Sequence, residues 1–147
     1  MFKSKHAGML LCILLGAATL ACGSIAPPAS CGEGIGGTAD EARFAEHFAT
    51  MQLVNAATGQ PGPEDPEGGA QFASGDELTV QAESLGEVEV RLCVQRRTGG
   101  GAIPFDQTQT APEGSASLAL GTFEPGGYVI RVIVDGTLVK NFPFVVK

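Results

Sequence analysis

Asp135-Gly136 stands between two runs of β-favouring residues, 128–134 and 137–146, and no other feature of the chain narrows its fold as much. An Asp-Gly pair suits the two-residue type I′ turn, whose twist matches that of the strands it joins. So short a loop dictates register: Val134 should face Thr137, Val132 should face Val139, and Arg131 should face Lys140. Arg131 and Lys140 then mark a solvent face, and Tyr128, Ile130, Val132 and Val134 are expected to point into a core. Earlier runs read as further strands. Leu78, Val80 and Ala82 alternate with polar residues, Val88, Val90, Leu92 and Val94 do the same, 117–123 is a third run, and 52–55 forms a short first strand.

Composition agrees with a sheet protein. The 147 residues hold 21 Gly, 9 Pro and no Trp, with 44% hydrophobic residues, which fits one turn-rich β domain and excludes global disorder. The turn Phe123-Glu124-Pro125-Gly126-Gly127-Tyr128, leading into a long hairpin, resembles the end of bacterial immunoglobulin-like and fibronectin-type-III-like domains. The resemblance covers about residues 51–147 and lacks the Cys-Trp-Cys core of antibody domains. It implies an all-β, immunoglobulin-like antiparallel β-sandwich and carries nothing about activity. One short helix precedes it. Thr38-Ala39-Asp40-Glu41 reads as a capping box with Thr38 as N-cap, and Phe44, Phe48 and Met51 then fall on one helical stripe. That stripe is expected to pack on the sheet; the alternative is a face for a partner protein. Helix and sandwich together make a domain of residues 38–147.

The N-terminus carries Lys3 and Lys5 and then an uncharged, Leu- and Ala-rich run of about 15 residues, the pattern of an export signal, and too short for the 20 or so residues of a membrane span. The run ends in Ala18-Thr19-Leu20-Ala21-Cys22, which resembles the lipobox of bacterial lipoproteins, although Leu is commoner there than Thr19. The resemblance implies a signal peptide of residues 1–21, cleavage before Cys22, and lipid attachment at Cys22. Several acyl chains would hold the domain at a membrane face. Gly23 in the next position points to the outer membrane, on its periplasmic or surface side. The alternative is an ordinary secretory signal cut after Ala21. Residues 22–37, rich in Gly, Pro, Ser and Ala, read as a flexible tether in which no core forms.

Export places the remaining cysteines, Cys31 and Cys93, in an oxidising setting. Cys93 lies with Glu89 and Arg91 on the face of its strand opposite Val90 and Leu92, which suits a bridge to a covering segment better than simple burial. A Cys31–Cys93 disulfide is therefore expected, clamping the N-terminal arm across the sheet; the alternative is two free thiols.

Charge and motifs bear on function mainly by exclusion. Sixteen acidic against nine basic residues give a net charge of −7, and removing residues 1–21 takes two lysines and no acid, so a nucleic-acid partner is not expected. Gly32, Gly34 and Gly37 match the spacing G-x-G-x-x-G, but a Pro-containing segment precedes them and no parallel sheet comes after, so no dinucleotide cofactor is expected. His47 has no nucleophile motif to serve and reads as a surface residue. With residues 1–21 removed, His47 is the one histidine left, and one His beside a disulfide assembles no zinc set; the acids Glu64, Asp65 and Glu67 sit in a Pro-rich stretch, 59–69, that reads as a long exposed loop and lacks calcium-loop spacing. No catalytic residue, metal or cofactor is expected. Arg96-Arg97, with Thr98 and three glycines after them, is the one basic and flexible spot joining two strands, and it is the candidate binding loop. These readings converge on a lipid-anchored cell-envelope lipoprotein serving as a non-catalytic binding or structural module, with membrane lipid at Cys22 and an envelope protein as its partners. The alternatives are an accessory subunit of a larger envelope complex, and a small envelope enzyme or inhibitor.

Overall fold

The computed structural model describes residues 30–32 and 35–147. The expected signal peptide, Cys22 and residues 22–29 of the expected tether lie outside the described residues. The elements run α1 (Glu41–His47), β1 (Phe48–Asn55), β2 (Ala70–Phe72), β3 (Leu78–Ser84), β4 (Val88–Arg96), β5 (Phe105–Ala111), β6 (Gly114–Gly121), β7 (Gly126–Val134) and β8 (Thr137–Val146). They form a three-stranded sheet, β1-β3-β6, and a five-stranded sheet, β2-β8-β7-β4-β5. All pairings are antiparallel except β2 with β8. Each sheet turns one apolar face inward: Leu53, Val80 and Leu118 from the smaller, and Val90, Leu92, Val94, Ile130, Val132 and Phe144 from the larger share one core. Apolar burial of this kind holds two-sheet folds together.

The terminal hairpin keeps the expected turn. Asp135 and Gly136 both have positive φ, 48° and 74°, and Val134 pairs with Thr137. Tyr128, Ile130, Val132 and Val134 face the core as expected. Beyond the turn the register differs. A bulge at Val139 of β8, opposite the step from Val132 to Ile133, puts Lys140, in place of Val139, opposite Val132, and Asn141, in place of Lys140, opposite Arg131. The reason is the pattern of β8 itself. Val139 and the later set Phe142, Phe144 and Val146 are out of phase for a regular strand, and one extra residue lets both reach the core side.

The helix is shorter than its stripe suggested. Asp40, in place of Thr38, is the N-cap: its Oδ1 accepts the Arg43 backbone N–H at 2.9 Å. Phe48 already has extended backbone, φ −135° and ψ 135°, because from here the chain pairs with β3, and that ladder prevails over local helical periodicity. Phe48 and Met51 are nonetheless both in the core. Residues three apart on a regular strand face opposite ways, but a register shift between Phe48 and Thr50 brings both inward. Phe44 packs on the same core from α1, its ring 5.5 Å from that of Phe48. The stripe is interior, not a free face.

A second, smaller cluster lies on the outer side of the larger sheet. Cys31 and Ile35 are buried there against Cys93, Ile133 and Leu138, with Ala39 and Ile103 alongside. Cys31 and Cys93 stand at disulfide distance, Cα to Cα 5.8 Å. The Asp40 N–H donates to the Leu138 carbonyl at 2.9 Å and continues the attachment. The expectation that no core forms before residue 38 therefore fails at Cys31 and Ile35.

Residues 59–69 are a mostly exposed loop, as expected, but a tied-down one, with Asp65 buried. Glu64 bridges to Ala70, and β2 then adds to β8, burying Phe72. The approach is close enough that a Cβ on Gly69 (φ 102°) would run into the Pro143 carbonyl.

Candidate functional site

Arg96 and Arg97 sit where β4 leaves the larger sheet, at the end of the sandwich that also carries the turn before β7 and the C-terminus. The two side chains do different things. Arg96 pairs with Tyr128 across β4 and β7, and its backbone N–H closes the loop by donating to the Ala102 carbonyl at 2.8 Å. Its guanidinium donates from Nη2 to the Pro125 carbonyl at 2.7 Å and lies 5.7 Å from the Tyr128 ring centroid. A Cβ on Gly126 would come within 2.8 Å of that Nη2, so the glycine leaves the space that Arg96 fills. Arg96 is thus tied into the turn.

Tyr128 is the centre of this end. Its hydroxyl donates to the Glu124 carbonyl at 2.7 Å, bracing the turn four residues back. Its ring stacks on Phe144 at 5.1 Å and lies 5.5 Å from Phe123, and Phe72 meets Phe144 edge-on at 6.4 Å. Such pairs add to the energy of simple burial. Over them opens a depression of about 400 Å³, whose floor and rim include Arg96, Phe105, Leu120, Phe123 and Glu124. It offers an aromatic floor, one guanidinium already engaged, and one exposed carboxylate.

Arg97 remains exposed. Its N–H donates to the Gly127 carbonyl at 2.9 Å, and its guanidinium crosses Gly127, 3.3 Å from where a Cβ would stand. With Glu67, Thr98 and Val145 it borders a second depression of about 370 Å³. The structure therefore separates the two candidate residues: Arg97 is available at the surface, while Arg96 holds the turn. Gly99, Gly100 and Gly101 all have positive φ, which explains the glycine run as a backbone requirement of the loop.

The remaining candidates are engaged elsewhere. Asp65 is buried and accepts the Glu67 N–H at 2.8 Å and the Lys147 ammonium, and these hydrogen bonds, Lys147 first, hold its carboxyl below the usual carboxylate range. Glu64 and Glu67 stay exposed and do not converge with it. Among the described residues, no three His, Cys, Asp or Glu side chains gather in a way that could hold a metal ion. His47 ends α1, half-buried, with a buried Nε2 that has no hydrogen-bond partner, so it is not the simple surface residue expected. Of the G-x-G-x-x-G stretch, Glu33 and Gly34 lie outside the described residues, and the chain runs on from it into α1 and an antiparallel sheet.

One opening among the described residues was not legible in the sequence. A groove of about 560 Å³ lies between β1 and β8, bordered by Met51, Leu53, Glu64, Lys140 and Phe142. The Lys140 ammonium stands 5.1 Å from the Phe44 ring centroid and 5.9 Å from that of Phe142. Lys140 reaches this groove because of the bulge between β7 and β8, whose phase change a reading of β8 as one regular strand passes over.

No family profile matches the chain, and no curated protein matches it at a significant level.

Proposed function

We propose that the chain is a lipid-anchored cell-envelope lipoprotein whose single immunoglobulin-like sandwich is a non-catalytic binding or structural module. The observation that carries this reading is the pairing of Cys31 with Cys93 at disulfide distance, 62 residues apart in sequence, downstream of the lipobox-like Ala18-Thr19-Leu20-Ala21-Cys22. A bridge that ties the arm to the middle of a sheet belongs to an oxidising compartment, where the lipobox resemblance also sends the chain.

The immunoglobulin-like arrangement is supported by strand order. Taking β1, β3 and β6 as A, B and E, and β5, β4, β7 and β8 as C′, C, F and G, with β2 as an added strand beside β8, gives a strand order that supports this reading, without a D strand. The Tyr128 hydroxyl, bonded to the backbone at Glu124 at the start of the penultimate strand, is the feature of such domains called the tyrosine corner. A module is favoured over an enzyme because Asp65 is occupied by Lys147, Arg96 by the Pro125 carbonyl, and His47 turns its Nε2 into the protein.

The test is the Cys22→Ser variant expressed beside the parent chain, with intact mass taken on detergent-extracted protein. The parent should begin at Cys22, carry added lipid and sediment with membranes, and Cys22→Ser should appear in the soluble fraction. An unchanged membrane fraction for the variant would overturn the anchor.

A further inference from the structure

The larger sheet has two edges, and they are built differently. β2 is three residues long, is flanked by glycines and prolines, and sits under the 59–69 segment. β5 is a regular seven-residue strand, FDQTQTA, paired to β4 without a bulge from Val94–Phe105 to Val88–Ala111. Natural sheets protect an open edge with lysine, proline, a bulge or a covering segment. β5 contains no lysine, arginine, proline or glycine. Among the described residues, no backbone hydrogen bond from outside the larger sheet reaches β5; its Gln109 side chain donates to the Ala119 carbonyl of β6 at 2.7 Å.

Its one charge is already neutralised. Arg91 grips Asp106 with two hydrogen bonds, Nε to Oδ1 at 2.8 Å and Nη2 to Oδ2 at 2.7 Å, and the Arg91 bond keeps the Asp106 carboxyl below its ordinary range. The strand is also self-complementary. When two copies lie antiparallel about a two-fold axis at Thr108, Thr108 faces Thr108, Gln107 faces Gln109, Asp106 faces Thr110, and Phe105 faces Ala111. Amide meets amide and hydroxyl meets hydroxyl, pairs that stabilise antiparallel sheets. On a chain of net charge −7, a seven-residue edge that meets its own copy without opposing two charges is a place where homotypic pairing avoids local repulsion.

We infer that β5 is a homotypic docking edge, at which a second copy of this chain adds antiparallel through Thr108 and joins the two five-stranded sheets into one. Pro112 comes directly after the strand and limits the contact to it, so the interface is small and its affinity weak. The inference does not depend on the lipid anchor.

The experiment uses the full chain carrying Cys22→Ser, studied by sedimentation velocity over a concentration series up to about 0.5 mM, a range chosen for an interface of the small class. A concentration-dependent dimer is expected. Thr108→Lys sets two ammonium groups against each other at the axis and should give monomer at every concentration with an unchanged circular dichroism spectrum. Mixing Thr108→Lys with Thr108→Asp should restore dimer. Register is read by Thr108→Cys, which should yield an oxidised dimer under mild oxidation, whereas Thr110→Cys, about 13 Å from its counterpart at the rise of an antiparallel strand, should not. A parent chain that stays monomeric throughout, a dimer that survives Thr108→Lys, or crosslinking as efficient at Thr110→Cys as at Thr108→Cys would each overturn the inference, the first of these including the case in which residues 1–29 occupy the edge.

Discussion

Replacing both Cys31 and Cys93 by alanine should be the most damaging change that leaves every strand sequence apart from Cys93 intact. The bridge closes a loop of 62 residues, and the chain-entropy relation sets the stabilisation from constraining the unfolded chain at about 4 kcal/mol. Both sulfurs are buried, Cys93 completely, so their removal adds a packing loss of about 1 kcal/mol. The two contributions can be separated. Reduction of the parent removes only the constraint, and the double variant removes both, so losses of about 4 and about 5 kcal/mol are expected. Urea unfolding monitored by far-ultraviolet circular dichroism is the assay, since the chain has no Trp and a single Tyr. With a slope of about 2 kcal/mol per molar urea, the midpoint should fall by about 2 M on reduction. The slope itself should rise, because the unbridged denatured chain exposes more surface. A loss below about 1 kcal/mol in both experiments would refute the reasoning, and alkylation of the unreduced, unfolded parent would then show whether the thiols were free from the start.

Other perturbations address the core, the C-terminal ion pair and the turns. Phe144→Ala empties the centre of the aromatic cluster and should cost about 3–5 kcal/mol, whereas Tyr128→Phe keeps the rings and loses only the bond to Glu124, about 1 kcal/mol, both read by the same urea titration. Asp65 has a lowered carboxyl pKa in the fold, so its contribution is complete above the unfolded carboxylate value of about 3.9 and is lost as pH falls through the lower folded value. Parent and Asp65→Asn should therefore differ most in stability near neutral pH and converge in acid, as thermal unfolding across pH 2–7 would show. Gly136→Ala forces alanine to φ 74° and should cost about 1–2 kcal/mol. Gly69→Ala should cost more, because its Cβ also meets the Pro143 carbonyl, and the difference between the two midpoints measures that clash.

Much of the sheet was legible in the sequence because it is written in period-two alternation. The inward set Tyr128, Ile130, Val132 and Val134, and the outward Cys93 beside Arg91, come from alternation and one turn signal alone. What local pattern missed was decided by pairing. β5 has only Phe105 and Ala111 as apolar residues, so nothing in its own composition marks it as a strand; it is one because β4 offers a free edge. β2 is too short for any periodicity and depends on β8. The helical stripe at Phe44, Phe48 and Met51 misled because a strand with a bulge can place residues three apart on one face. The phase change in β8 between Val139 and Phe142 was visible in principle, since a regular strand would have buried Asn141 and Pro143.

The candidate site was less legible, and for a physical reason. Arg96 and Arg97 are adjacent in sequence and chemically identical, so reading the chain alone assigns them one role. Successive residues at a strand end point to opposite sides, and what each meets there differs: Arg96 meets the aromatic cluster and a carbonyl with no other described partner at Pro125, while Arg97 crosses a glycine and stays at the surface. Arg96→Ala should consequently destabilise the fold through lost packing as well as lost hydrogen bonding, and Arg97→Ala should leave stability within about 0.5 kcal/mol. That contrast makes Arg97 the side chain to vary in any search for a ligand at this end, because a change in binding on Arg97→Ala reports contact, whereas the same change on Arg96→Ala reports the collapse of the turn that presents the loop.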